Sequence, residues 1–244
     1  MKIITLLCSI YLIVLVLASS LAFLPVAAVL RVATGWYDGQ LKILHLFSCF
    51  WASCYTWLNP LWSVRITGRQ HIDGRKACVM VSNHQSIVDI LVIYRIFKHF
   101  KWVGKASLFN VPIIGWNMYL NRYVKVERTR ISSQRKMLRR CEANIRNGNS
   151  IMIFPEGTRS SGRQMRDFKD GAFMIAVRQE ADIIPMVIDG TAQTVQGKFP
   201  FAFQRIRLHI LPAIPFEHLR NMSVSEVSRL VRQIMSDELQ HMRS

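Results

Sequence analysis

Hydrophobic positions in this chain fall into two regimes. Ile3 to Leu30 carry no charge, and a second uncharged stretch covers residues 43–64 and holds Trp51, Trp57 and Trp62. At about 1.5 Å per residue, the first stretch is long enough to cross the roughly 30 Å hydrocarbon core of a bilayer as a helix. Pro25 is a point at which that helix can kink or end early. His45, Asn59 and Pro60 interrupt the second stretch, and its tryptophans are of the type frequent at the membrane–water boundary. The pair reads as a membrane-embedded helical hairpin that spans the bilayer or dips into one leaflet. Two alternatives stay open. Lys2, the apolar run and Ala18-Ser19-Ser20 imitate a secretory signal, although the run continues well past that point. Residues 43–64 are also readable as a buried core helix.

From Val64 onward short β-rich runs alternate with amphipathic ones. Strands are expected at 77–82, 102–105, 123–126, 150–154, 183–188 and 206–211. Helices are expected at 86–99, 112–120, 132–147, 171–179 and 223–242, the third closed by Asn147-Gly148. This alternation predicts an α/β fold with a mixed, largely parallel sheet flanked by helices. The organisation is then an anchoring segment, 1–64, followed by an α/β domain, 65–244, with no internal repeat. In such domains chemistry collects where strands end and helices begin. Segments 83–89 and 154–160 meet that description.

Charge sharpens the division. The chain has 32 Lys and Arg against 15 Asp and Glu in 244 residues. Of these only Lys2, Arg31, Lys42 and Asp38 fall within 1–64. A basic body implies a polyanionic partner, namely nucleic acid, anionic lipid or a phosphorylated substrate, and the apolar head tilts the choice toward lipid. Residues 122–146 are the densest basic stretch, with nine basic residues against Glu127 and Glu142. They lack the interleaved aromatics and recognised motifs of a nucleic-acid site and suit an anionic membrane surface or an acidic carrier protein. Basic flanks favour a cytoplasmic body. Half the residues are hydrophobic, which excludes a disordered chain. The five cysteines contain no C-x-x-C pair and read as packing residues or free thiols.

Two clusters carry candidate chemistry. His84 follows the strand expected at 77–82, and Asp89 lies five residues on. On an ideal helix that spacing turns the two side chains roughly 140° apart. If His84 lies in the turn before the helix, its ring can fold back to Asp89, which would fix its tautomer and support the imidazolium formed in base catalysis. The alternative is a helix-capping His84 with a solvated Asp89. Ser86 is poorly placed as a nucleophile two residues from His84, and no G-x-S-x-G elbow is present. The second cluster is Phe154-Pro155-Glu156-Gly157-Thr158-Arg159-Ser160. Gly157 permits a tight turn, Arg159 suits bidentate binding of a phosphate, and Glu156 suits a substrate hydroxyl or Arg159 itself. A structural Glu–Arg pair is the alternative.

These residues carry a resemblance. Asn83 through Asp89 (NHQSIVD) resembles the N-H-x-x-x-x-D block of the glycerolipid acyltransferases, and FPEGTRS resembles their third block. Val124-Lys125-Val126-Glu127-Arg128 is similar to the second, with Glu127 where Asp is common, and Ile183-Ile184-Pro185-Met186-Val187 to the fourth. Gly104-Lys105-Ala106-Ser107-Leu108 also looks like the family. The nearest group by this resemblance is the lysophosphatidate (1-acyl-sn-glycerol-3-phosphate) acyltransferases, the short bacterial ones included. It implies a membrane-bound enzyme that moves an acyl group from an acyl thioester to the sn-2 hydroxyl of lysophosphatidate. His84 would be the general base, Asp89 would orient it, and no acyl-enzyme would form. Glu156 and Gly157 would position the acceptor, with Arg159, Arg128 and Lys105 on its phosphate. The resemblance implies no metal or redox cofactor, with acyl-CoA or acyl–acyl carrier protein as co-substrate. With the basic flanks, the expected location is the inner (cytoplasmic) membrane, the catalytic domain facing the cytoplasm. The same chemistry on another lysophospholipid or on glycerol 3-phosphate, a serine thioesterase or lipase, and a non-catalytic basic membrane-binding module are the competing readings.

Overall fold

The computed structural model describes residues 2–160, 164–194 and 203–244. Two helices come first, α1 (Lys2–Thr34) and α2 (Lys42–Trp57). They pack against each other as a hairpin. Among the described residues one helix, over Ile10–Thr34, is long and apolar enough to cross a membrane. Much of α1 is bare of protein, with Leu17, Leu21, Val29 and Val32 exposed. The second helix is different in kind. Its Leu44, His45, Cys49 and Ala52 face are buried, and the His45 ring is bonded to the Tyr123 hydroxyl at 2.8 Å and to the Lys98 carbonyl at 3.0 Å. So α2 packs one face on the α/β domain, which accounts for the polar residues that interrupt its sequence.

The sheet has seven strands: β1 (Trp62–Thr67), β2 (Val79–Ser82), β3 (Lys101–Lys105), β4 (Val124–Val126), β5 (Ile151–Ile153), β6 (Ile183–Asp189) and β7 (Gln204–Ile210). Their order is β1-β7-β6-β2-β5-β3-β4. Every neighbouring pair is parallel except β6 with β7. The mixed, largely parallel sheet expected from the sequence is therefore present. The sheet starts at Trp62, inside the second uncharged stretch, because that strand buries Trp62 at the core edge while alternate residues face out.

Helices cover both faces, as a parallel sheet requires. Along β2, Met80 packs to one side with α2 and with Val92 of α3 (Val88–Tyr94). Val79 and Val81 pack to the other with α5 (Ile131–Arg146), α6 (Gly171–Arg178) and α7 (Val224–Arg243). Ser223 opens α7 with a reciprocal capping box to Glu226. Between β3 and β4 the short α4 (Ile114–Leu120) packs against α1. Because β6, β2, β5, β3 and β4 run in one direction, their carboxyl ends share one edge of the sheet. The sequence segments singled out above sit on that edge.

Candidate active site

His84 leaves β2 at its carboxyl end, before α3 begins. The turn brings its Nδ1 to 2.8 Å from Asp89 Oδ2, and the ring is 13% exposed. Asp89 lies in the first turn of α3 and is fully buried. A buried carboxylate is stable only with its lone pairs occupied. Here Oδ2 also accepts from the backbone N–H groups of Gln85 at 2.6 Å and Ser86 at 2.9 Å. Oδ1 accepts the Thr191 hydroxyl at 2.5 Å. A carboxylate with four donors on it can only accept, so Nδ1 of His84 carries the proton and Nε2 carries the lone pair. That is the tautomer a general base needs.

The backbone of His84 is held as firmly as its ring. Its N–H donates to Glu156 Oε1 at 2.8 Å, and its carbonyl accepts from the Ser160 N–H at 2.8 Å. Phe154 stacks on the imidazole with centroids 4.1 Å apart and planes 13° apart. Asn83 exchanges two 2.8 Å bonds with the main chain of Ile188 on β6. The ends of β5, β2 and β6 thus converge on one histidine.

Glu156 is placed otherwise than the sequence suggested. It is 2% exposed, and its second oxygen accepts the Arg166 N–H at 3.0 Å. Each oxygen accepts one main-chain N–H, and Glu156 lies outside the lining of the cavity beside His84, so it braces the backbone of the site. Burial raises its pKa, against the lowering effect of those two N–H groups. Gly157 follows with φ +69, and a β-carbon there would meet Lys169 Cε at 2.9 Å. The positive φ is what calls for glycine, since the lysine tip could move aside.

An apolar cavity of about 250 Å³ opens beside the histidine. Its lining takes in His84, Lys105 at the end of β3 and Arg128 just past β4, and then runs through Leu91, Leu108 and Met118. Val16 of α1 and Trp51 of α2 complete the wall. Burial lowers the pKa of the half-buried Arg128. Arg159 is exposed and lies outside this lining. The structure therefore brings His84, Lys105 and Arg128 around one space, keeps Asp89 buried behind the His84 ring, leaves Arg159 on the outer turn, and uses Glu156 and Gly157 to build that turn. Ser86 is buried, with its hydroxyl 3.3 Å from that of Thr194. Thr191 has no counterpart in the sequence reading. Its partner is 102 residues away, and the hydroxyl has no motif around it to mark it. Among the described residues no group of three or more His, Cys, Asp or Glu is placed to hold a metal ion.

The arrangement can hold a neutral imidazole with its basic nitrogen free, next to an apolar space and two cations. The acyltransferase family profile matches residues 63–189. A 1-acyl-sn-glycerol-3-phosphate acyltransferase of Saccharomyces cerevisiae is 32% identical over 204 residues, covering 80% of this chain and 67% of that protein. Proteins of the same description from Chlamydomonas reinhardtii and from Arabidopsis chloroplasts are 37% and 35% identical. There the match covers 60% and 62% of this chain but only 44% and 42% of the relatives, so the chain spans less than half of their length. The crystal structure of the lysophosphatidate acyltransferase PlsC of Thermotoga maritima superposes with a TM-score of 0.79. It covers 100% of this chain and 98% of that one at 20% identity, a likeness of fold.

Proposed function

This chain belongs to the acyltransferase family, in the group of the 1-acyl-sn-glycerol-3-phosphate acyltransferases, and from that premise we propose that it transfers a fatty acyl group from a thioester to the sn-2 hydroxyl of lysophosphatidate, yielding phosphatidate. The observation that carries this reading is the His84–Asp89 pair at the mouth of an apolar cavity whose lining also holds Lys105 and Arg128. Nε2 of His84 takes the proton of the acceptor hydroxyl as the oxygen attacks the thioester carbonyl. The imidazolium is supported by Asp89. The C–S bond then breaks, and the departing thiolate takes that proton back. No acyl-enzyme is formed. Ser86, with its hydroxyl turned to Thr194, supports this order of events over a serine mechanism.

The phosphate, near −2 at neutral pH, sits with Lys105 and Arg128. Arg159 adds charge from the outer turn, and the apolar cavity takes acyl chain. The donor is acyl-CoA or acyl–acyl carrier protein, and no cofactor is required. The bare apolar α1 holds the domain at a membrane, where the acceptor resides, and the basic body favours the cytoplasmic face of the inner membrane. Steady-state kinetics with Arg128→Gln and Lys105→Gln test the assignment. A KM for lysophosphatidate raised tenfold or more, with the thioester KM unchanged, supports it; equal effects on both substrates refute it. Preference for lysophosphatidylethanolamine or glycerol 3-phosphate over lysophosphatidate would move the acceptor while keeping the chemistry.

A further inference from the structure

Farther along α1, that helix and α4 border an open groove of about 460 Å³ that shares no lining residue with the His84 cavity and that none of the chemistry above uses. One wall is the side of α1 bearing Leu24, Ala28 and Arg31, which the helical repeat stacks along one stripe. The other is made by Trp116 and Tyr119 of α4, 54% and 53% exposed. Arg122, just beyond α4, completes it. The groove is apolar along α1, aromatic along α4, and cationic where both helices end.

Arg122 has φ +54 and terminates α4, with its N–H on Tyr119 O and the next N–H on Met118 O. Glycine is the usual residue in that left-handed position, and a side chain there is strained against the following carbonyl. Gly35 excludes a β-carbon, which would lie 2.5 Å from the Arg31 carbonyl oxygen, and the Arg31 guanidinium rests against it. Lys101 lies close by, buried, with Nζ on the carbonyls of Gln40 at 2.7 Å and Asn121 at 3.0 Å. The charges of Arg122 and Arg31 act on it, with Asp38 as the opposing acid. Among the described residues neither Arg31 nor Arg122 forms an ion pair. Both do sit at helix carboxyl ends, where the helix dipole favours a cation. Any basic residue in the last turn would satisfy that, with no need of a left-handed arginine.

We propose that this groove binds an anionic glycerophospholipid, its phosphate held by Arg31 and Arg122 and an acyl chain laid along Leu24 and Ala28, at a site separate from the cavity of His84. Trp116 and Tyr119 then lie at headgroup level, where indole and phenol rings are favoured. A guanidinium pair matches phosphate oxygens better than it matches water. The site places one bound lipid against the helix that carries the domain. It is independent of the catalytic assignment.

Native mass spectrometry of the full chain in a neutral maltoside detergent tests this, with dioleoyl phosphatidylglycerol, dioleoyl phosphatidylcholine and inorganic phosphate as probes. The wild type should retain phosphatidylglycerol, and Arg31→Gln/Arg122→Gln should lose at least fivefold of that occupancy while phosphatidylcholine retention is unchanged. Arg128→Gln should keep the groove lipid, which separates it from the catalytic cavity. Arg122→Gly, suited to the backbone, should melt no lower than wild type and still lose the lipid. Equal retention by wild type and the double variant overturns the proposal. So does an Arg122→Gly variant that melts lower yet retains lipid, which would make Arg122 a helix-end residue. Full displacement of the lipid by millimolar inorganic phosphate would reassign the site to a soluble phosphate.

Discussion

Glu156 accepts the main-chain N–H of His84 at 2.8 Å. The acidic residue of one sequence block thereby fixes the backbone of the base in another, 72 positions away. The tie joins the end of β5 to the end of β2, and Ser160 closes it from the other side by donating to the His84 carbonyl. With Asp89 on the ring and Glu156 on the backbone, His84 has little freedom left. Its geometry is set before any substrate arrives, which is what orientation by a fixed scaffold contributes to catalysis.

Glu156→Gln tests this brace. A glutamine offers one acceptor oxygen to two N–H groups, so its own NH₂ must oppose one of them. Leaving a buried donor unpaired costs about 1–3 kcal/mol. Denaturant titration should report a loss of that size, with kcat falling more than the KM for lysophosphatidate rises. A variant that raises only KM would return Glu156 to the acceptor.

Thr191→Val removes the hydroxyl on Asp89 Oδ1 and keeps the volume. The carboxylate then has a buried lone pair unfilled and holds the imidazole less firmly. A fall in kcat of about tenfold, equal to about 1.4 kcal/mol, is expected, with recovery in Thr191→Ser. Failure of serine to restore turnover would mean that Thr191 acts by packing alone.

Lys101 gives a pH signature. Burial, with Arg122 and Arg31 nearby, lowers its pKa from 10.5 to about 8. The folded chain therefore binds fewer protons than the unfolded chain between those two values, and stability contributed by this group rises with pH across that window. Measured against Lys101→Met, the wild type should gain up to about 3 kcal/mol between pH 8 and 10.5. A difference that is flat or falls over this range contradicts the shifted lysine.

Much of this architecture is written locally. The central strands β2, β5 and β6 are buried on both faces and stand out as unbroken apolar runs. His84 and Asp89 lie within one turn, so their pairing was readable once His84 was placed ahead of the helix. The helix expected over 86–99 is shorter, at Val88–Tyr94. Asp89 takes the N–H groups of Gln85 and Ser86 at its start, and Phe97 at φ +53 bends the chain soon after its end. What the sequence hid depends on distant partners. β1 is a half-buried strand inside a tryptophan-rich stretch, and Thr191 and Glu156 acquire their roles only when β6 and β5 flank β2. Lys105 and Arg128 were marked by family resemblance, and their meeting on one cavity follows from the order of β3 and β4 in the sheet.

The most direct measurement is acyl transfer by the purified full chain in mixed micelles, with labelled oleoyl thioester and lysophosphatidate, for wild type, His84→Ala and Ser86→Ala. Labelled phosphatidate from wild type, most of it retained in Ser86→Ala and a loss of at least a thousandfold in His84→Ala, with no label on the protein after acid quench, is the predicted result. Turnover that survives in His84→Ala, or that disappears in Ser86→Ala with label left on the wild-type chain, would contradict direct transfer by a histidine base.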